Sequence, residues 1–257
     1  MNPKQSISIL GCGWLGLPLA KELLDKGFEV KGSTTSSNKL DQLSKVGIDP
    51  FLVHIGDKTS SAKNFFNTEI LVVCIPSKDV NNFKLVIKQI ENAKIEKVIF
   101  VSSTSVYQNT NKVVTENSPT RSTELIQIEN SFKNNTHFKT TILRFGGLIG
   151  YDRQPGTFHK EGKIIANPEG FVNLIHRVDC IQIIEQIIIK NIWNNTFNAC
   201  MDSHPSRREF FTSERLKFTD SKTLFDEASI SSYKIISSNK LKNSMAYNFI
   251  FDDLKNI

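Results

Sequence analysis

Residues 6–28 read SISILGCGWLGLPLAKELLDKGF, and three local patterns follow one another in that stretch. Ile7, Ile9 and Leu10 have the character of a short buried strand. Gly11, Gly13 and Gly16 then fall in G-x-G-x-x-G spacing, and residues 15–26 carry apolar side chains at helical intervals. The stretch predicts a strand, a glycine turn and a helix, in that order.

In such a unit Gly11 allows the tight turn, Gly13 lets a pyrophosphate approach the backbone, and Gly16 lets helix and strand pack closely. An anion would rest on the helix N-terminus, where free amides and the helix dipole supply partial positive charge without a basic side chain. Gly11, Cys12, Gly13, Trp14, Leu15 and Gly16 are therefore the first candidate cofactor-binding residues. The alternative is a glycine-rich turn that holds no ligand. Lys4 and the apolar run ending at Leu17-Pro18-Leu19-Ala20 also resemble a secretory signal. Pro18 and the glycines interrupt that run and no small-x-small site precedes Lys21-Glu22, so the segment is expected to belong to the fold.

A chain of 257 residues can bury a sizeable core, as one large α/β unit or as a main domain with a smaller lobe. Hydrophobic residues make up 39% of it, and no run reaches the roughly 18 apolar residues of a membrane span. Cys12, Cys74, Cys180 and Cys200 are widely separated, with no Cys-x-x-Cys pair, so neither a metal site nor a disulfide framework is expected. A cytoplasmic location is the simplest expectation. The net charge of +6 is spread along the chain and interleaved with acids. That pattern predicts scattered basic surface rather than a nucleic-acid partner.

Residues 28–32 read as a second strand, and the polar run Ser33-Thr34-Thr35-Ser36-Ser37-Asn38-Lys39 leads into a helix. Domains that select NAD usually place an acid here for the ribose 2′-hydroxyl. Glu29 comes too early and no other acid appears before Asp41, so Ser33, Thr34, Thr35 and Lys39 point to NADP, with NAD possible. Ser36 or Ser37 would also serve as a helix cap. Further strands are expected at 51–55, 69–75, 97–101 and 139–145, with a helix at 79–93. This alternation predicts a parallel sheet with right-handed crossovers. Ligands bind at the carboxyl ends of such strands, which adds Ile75, Pro76, Ser77 and Ser102 to the cofactor candidates.

Four elements together carry a resemblance: the glycine turn, Ser102-Ser103-Thr104-Ser105-Val106-Tyr107, Leu143-Arg144-Phe145-Gly146-Gly147, and Ile175-His176-Arg177-Val178-Asp179. With them the chain, to about Glu209, resembles the extended short-chain dehydrogenases/reductases, the relatives of the sugar-nucleotide epimerases and dehydratases. The resemblance implies a Rossmann-type, doubly wound parallel α/β sheet with a small C-terminal substrate lobe. The sheet domain would span 1–150, with 172–200 returning to it, and the lobe would take 151–171 and 201–257. It also puts Ser103 in the position of the family's catalytic serine or threonine, four residues before Tyr107. A serine run at a strand end is equally common turn chemistry.

The family's base is a Tyr-x-x-x-Lys pair, in which lysine lowers the tyrosine pKa from about 10. Four residues beyond Tyr107, Tyr151, Tyr233 and Tyr247 stand Asn111, Pro155, Ser237 and Phe251, so the pair is absent. That places the chain with an atypical branch of the family. Phe145, Gly146, Arg153, His176 and Arg207 are the candidate substrate residues. Arg153 has the chemistry to pair with a phosphate or carboxylate, or to stand as a solvated loop arginine; His176 equally suits a structural place at the start of a helix over 178–189. Ser206 and Glu209 have capping-box spacing. Beyond residue 218 the pattern fades into a short strand near 234–236, a helix after Ser238 and a last strand near Phe249. Two functions follow: an NADP-dependent oxidoreductase or epimerase-like enzyme on a polar, nucleotide-linked small molecule, with Ser103 and Tyr107 as catalytic candidates, or a catalytically silent dinucleotide-binding sensor. Oligomeric state is not legible.

Overall fold

Apolar strands and amphipathic helices alternate as the sequence pattern requires. The computed structural model describes residues 5–57 and 62–254. In chain order they form β1 (Ser6–Leu10), α1 (Gly16–Asp25), β2 (Glu29–Thr34), α2 (Leu40–Lys45), β3 (Asp49–Leu52), α3 (Ala62–Phe66), β4 (Ile70–Val73), α4 (Val80–Ala93) and β5 (Lys97–Ser103). There follow β6 (Val113–Val114), α5 (Glu124–Lys133), β7 (Lys139–Phe145), β8 (Gly147–Ile149), β9 (Ile164–Ile165), β10 (Leu174–His176) and α6 (Arg177–Ile189). The last elements are β11 (Thr196–Ala199), α7 (Arg207–Leu216), β12 (Leu224–Phe225), β13 (Ile235–Ile236) and α8 (Asn239–Met245).

Seven strands make one sheet in the order β11-β7-β5-β4-β1-β2-β3. β1 pairs in parallel with both β2 and β4, β2 with β3, and β4 with β5. The chain moves from β1 outward through β2 and β3, then returns to the other side of β1 at β4. The order therefore reverses between β1 and β4, and the loops after those two strands open a crevice where ligands of such sheets bind. This is the Rossmann-type architecture expected from the sequence.

Packing follows from the same patterns. Phe83, Val86, Ile87 and Ile90 of α4 are buried at helical spacing. Phe83 meets Phe100 of β5 edge-on at 5.7 Å, and Phe132 of α5 stacks on Phe100 at 4.9 Å. Such aromatic pairs contribute about 0.5–1.5 kcal/mol each beyond the area they bury. Asp79 caps α4 by accepting the Asn82 N–H, and Lys94 ends it in the left-handed conformation.

Two compact units divide the chain. The first holds the described residues up to Ser102, with Ser122–Leu143 and Ile183–Thr196; the second holds Ser103–Arg121, Arg144–Gln182 and Phe197 onward. The chain passes between the units five times: at the end of β5, before α5, within β7, within α6 and at the first residue of β11. The second unit has its own apolar cluster of Ile149, Ile165, Val172, Met201, Phe210, Phe211 and Leu254. The same unit holds three short parallel pairs, β8 with β10, β9 with β12 and β6 with β13.

Three local expectations are corrected. The third strand begins at Asp49 and ends at Leu52, earlier than 51–55, and admits Pro50 because it lies at the sheet edge. No hydroxyl caps α2; instead Thr34 Oγ1 accepts the Ser36 N–H at 3.1 Å. No strand forms near Phe249, since the N–H groups of Ile250 and Phe251 donate to the Asp179 carboxylate at 2.8 and 3.3 Å rather than to a neighbouring strand.

Candidate functional site

The glycine turn joins β1 to α1 as its sequence predicts. Gly11 has φ +101°, and a Cβ there would stand 2.5 Å from Ile75 Cγ2. At Gly16 a Cβ would be 2.1 Å from the Gly11 carbonyl oxygen and 3.2 Å from Ile9 Cγ2, so only glycine lets α1 lie this close to β1. Gly13 differs: a Cβ there would meet nothing within 4 Å. The backbone at Gly13 faces open space, as a site for close approach by a ligand requires. No side chain caps the N-terminus of α1 and no acid stands in its first turn, which leaves the dipole's positive end for an external anion.

A cleft of about 470 Å³ lies over this turn. Of the candidate cofactor residues it is lined by Gly11, Cys12, Gly13, Ser33, Thr34, Thr35, Lys39, Ile75, Pro76 and Ser77. Ser36, Val53, Ile55 and Cys74 line it too. Val53 and Ile55 follow β3, and the rule that ligands collect at carboxyl strand ends would have found them had it been applied to the third strand. Lys39 is the one charged residue among those lining the cleft, and no carboxylate is among them. Burial pushes the Cys12 thiol up to about 12, so it is neutral near physiological pH and adds no negative charge; burial raises the Cys74 thiol as well. The lining fits a dinucleotide: free amides for a pyrophosphate, apolar walls for a base, and hydroxyls with one lysine beyond β2.

Four other candidates are placed elsewhere. Leu15 and Gly16 are buried in the packing of α1, and Trp14 is half-buried outside the lining set. Ser102 is 7% exposed, and its hydroxyl donates to Glu129 Oε1 of α5 at 2.5 Å. Ser33 lines the cleft but its side chain is committed, since Ser33 Oγ accepts the Gly11 N–H at 2.9 Å and Ser33 O accepts the Cys12 N–H at 2.8 Å. These roles depend on pairings across 22 to 27 residues and left no local signal.

In the second unit, Ser103 is half-buried and its Oγ accepts the Ser105 N–H at 3.1 Å, capping a short 3-10 turn. Tyr107 is 1% exposed. Its hydroxyl donates to Asn198 Oδ1 at 2.8 Å and accepts from Arg144 Nη1 at 2.6 Å, and the Arg144 guanidinium lies 4.9 Å from its ring centroid. Burial raises the phenol's pKa, with the Arg144 charge opposing it only in part. The lysine near Tyr107 is Lys234, whose Nζ donates to the Tyr107 carbonyl at 3.0 Å and not to the phenol. This geometry makes Tyr107 a buried strut.

The substrate candidates separate. Phe145 is buried, and a Cβ on Gly146 would be 2.9 Å from Asn173 O, so both serve packing. Arg207 Nε donates to Ala166 O at 3.1 Å, and burial lowers its pKa. The expected capping box is present beside it, with Ser206 and Glu209 exchanging hydrogen bonds. Arg153 and His176 do come together, on a pocket of about 260 Å³ wholly within the second unit. Among the described residues no group of three or more His, Cys, Asp and Glu side chains could hold a metal ion, and no helix is long and apolar enough to cross a membrane.

The sequence profile of a family described as NAD(P)H-binding matches residues 11–173. Protein YeeZ of Escherichia coli strain K12 is 28% identical over 267 residues, covering 97% of each chain. A conserved protein of unknown function from Silicibacter pomeroyi superposes with a TM-score of 0.82 at 17% identity, covering 98% of this chain and 96% of that one. UDP-glucuronic acid 4-epimerase from Bacillus cereus, solved in complex with NAD, superposes with a TM-score of 0.77 at 19% identity over the same shares.

Proposed function

Because the chain belongs to the NAD(P)H-binding family and has the fold of the short-chain dehydrogenase/reductase epimerases, we propose that it is an NADP-preferring oxidoreductase or epimerase-like enzyme acting on a polar small molecule. The observation that carries the cofactor choice is the cleft wall beyond β2, where Thr34, Thr35, Ser36 and Lys39 stand and no acid does. Hydroxyls and an ammonium suit a 2′-phosphate, whereas a carboxylate there would repel it. The Gly13 backbone and the N-terminus of α1 hold the pyrophosphate, and Lys39 pairs the 2′-phosphate. When bound, the nicotinamide supplies hydride acceptance or donation. The epimerase relative's UDP-sugar name makes nucleotide-linked sugars the first substrates to try. A location in the cytoplasm accords with four cysteines that form no disulfide, three of them buried.

The second reading, a dinucleotide-binding sensor without turnover, is favoured by one specific observation. Of the two catalytic candidates Tyr107 is buried and held by Arg144 and Asn198, while Ser103 accepts the Ser105 amide and has no basic partner among the described residues. A substrate alcohol needs a base as hydride leaves; the Tyr107 hydroxyl is committed to Asn198 and Arg144, and a serine hydroxyl alone is too weak a base to replace it.

Titration calorimetry with NADP and NAD tests the cofactor assignment. NADP should bind at least tenfold more tightly, corresponding to about 1.4 kcal/mol. Gly13→Glu should abolish both without changing the melting temperature, because its side chain enters open space in the fold but collides with the bound pyrophosphate. Equal affinity for the two cofactors would refute the preference, and undiminished binding by a folded Gly13→Glu protein would refute the site. NADPH oxidation or NADP reduction across a panel of sugar nucleotides, aldehydes and ketones then separates the enzyme from the sensor.

A further inference from the structure

Helix α7 carries Arg207, Phe211 and Arg215 at i, i+4 and i+8, a spacing that sets them along one face. Segment 159–166 lies against that face. His159 meets the Phe211 ring edge-on at 4.8 Å, and the Arg207 guanidinium lies 5.4 Å from the centroid of the same ring. Arg215 Nη1 donates to His159 O at 3.2 Å, and Arg207 Nε donates to Ala166 O at 3.1 Å. Two carbonyls of one segment thus anchor two guanidinium groups, with Phe211 between them along the helix. Burial lowers the His159 pKa, and the charges of Arg207, Lys163 and Arg215 lower it further, so the imidazole adds no charge near neutral pH. Three cations gather around one uncharged ring.

The basic residues next to these in sequence are neutralised, and these are not. Arg208 is held by Glu169 at 2.8 Å and by Glu227 at 2.6 Å, and Lys217 by Glu214 at 2.8 Å. Among the described residues no carboxylate forms an ion pair with Lys163, Arg207 or Arg215. Glu161, the acid nearest Lys163 in sequence, accepts the Ser221 hydroxyl instead. An exposed cation can be left to water, but Arg215 is only 6% exposed and its Nε has no hydrogen-bond partner. Arg207 is half-buried, and burial lowers its pKa. A guanidinium withdrawn from water without an anion is costly. Stability alone would put acids here before spending them on Arg208 and Lys217, whose side chains are more than a third exposed. Each of the two guanidinium groups has five N–H donors and gives one to a carbonyl, which leaves N–H groups of both for a further acceptor. Lys163 is exposed, so the cluster opens to water on its side.

We propose that Arg207, Arg215 and Lys163, gathered beside His159, form a site for the phosphoryl group of a small molecule. A phosphate monoester carries about −1.5 to −2 charge at neutral pH and three acceptor oxygens, which matches two guanidinium forks and an ammonium more closely than one carboxylate does. The unpaired charge is confined to one spot beside the neutralised Arg208 and Lys217. That suits a single phosphoryl group rather than the repeated phosphates of a nucleic acid. These four residues belong to the second unit and the dinucleotide cleft is lined by residues of the first, so the two sites share none. The proposal does not depend on the functional reading above.

Calorimetric titration of the full chain with inorganic phosphate, glucose 6-phosphate and acetate, at constant ionic strength, is the test. At least one phosphate compound should bind, with acetate at least tenfold weaker, and the tighter of the two phosphates shows whether the site takes the free ion or an ester. Arg207→Gln should weaken that ligand at least tenfold. Lys163→Gln alters an exposed side chain, so it should keep the wild-type melting temperature and still weaken the ligand severalfold. Absence of binding by both phosphates, acetate bound as tightly as they are, or phosphate affinity unchanged in both variants would overturn the proposal.

Discussion

The Gly11 N–H donates to Ser33 Oγ at 2.9 Å, so a side chain at the end of β2 fixes the turn that follows β1. Ser33 is buried, and its carbonyl also accepts the Cys12 N–H. Ser33→Ala removes the acceptor and leaves a part-buried amide unpartnered, which should destabilise the protein by about 1–3 kcal/mol. For a chain of this size that is a fall of very roughly 2–4 °C in melting temperature per kcal/mol. Dinucleotide affinity should drop as well, because the turn loses its register. Melting curves and cofactor titrations identical to wild type would show that the bond does not hold the turn.

The glycines of the turn predict opposite stabilities for the same chemical change. Gly16→Ala sets a Cβ against the Gly11 carbonyl at 2.1 Å, where backbone rather than a flexible side chain must yield. Overpacking of this kind costs about 1–3 kcal/mol or more, and should lower cofactor affinity by separating α1 from β1. Gly13→Ala meets nothing within 4 Å and should stay within about 0.5 kcal/mol of wild type. Denaturant unfolding of the pair distinguishes them; equal losses would contradict the packing described here.

The difference between these glycines marks what the sequence makes legible. Spacing identified the turn, the alternation of strand and helix identified the sheet, and Phe83, Val86, Ile87 and Ile90 identified the buried face of α4. Such patterns are local, and each residue's neighbours in the chain carry them. The partner of a polar side chain is not local: Tyr107 meets Arg144 and Asn198, 37 and 91 residues away, and Ser102 meets Glu129. Likewise Asp179 takes the Tyr247 hydroxyl at 2.7 Å together with two backbone amides, and the last segment therefore makes no strand. The short pairs of the second unit, two or three residues each, are too brief for periodicity to register.

Thr35 is exposed and lines the cleft beyond β2, where an NAD-selecting domain would carry an acid. Thr35→Asp should therefore reverse the cofactor preference. A charge-assisted hydrogen bond is worth about 1.5–3 kcal/mol, so NADP should weaken by tenfold or more while NAD gains. Lys39→Ala should weaken NADP alone. Parallel losses for both cofactors in either variant would place the 2′-phosphate elsewhere.

His176 and His204 set an expectation for acid stability. Burial lowers both pKa values, and for His204 the Val172 carbonyl at 3.1 Å opposes the shift only in part. The unfolded imidazole titrates near 6.5. Between that value and the lower folded ones the unfolded chain binds more protons, so stability rises with pH in this window and is lost as pH falls below about 6.5. Above it these two groups contribute no slope. His204→Asn can keep the hydrogen bond to Val172 without titrating, and should flatten the decline between pH 7 and 5. A decline as steep as wild type would show that His204 does not contribute to it.

Tyr107→Phe separates a strut from a base. The wild-type hydroxyl is buried between Arg144 and Asn198, and its pKa is raised, the reverse of what proton abstraction near neutral pH requires. Removing it leaves Asn198 Oδ1 without that donor and takes one acceptor from Arg144, so the substitution should destabilise the protein by about 1–3 kcal/mol. Cofactor affinity should be unchanged, because the residue lies outside the cleft-lining set. If a substrate is found, kcat for the folded Tyr107→Phe protein should stay within a few-fold of wild type and the pH profile should keep its shape, since no step passes a proton through the phenol. A loss of two or more orders of magnitude in kcat at unchanged stability would restore Tyr107 as the base, and would require its hydroxyl to leave Asn198 during turnover.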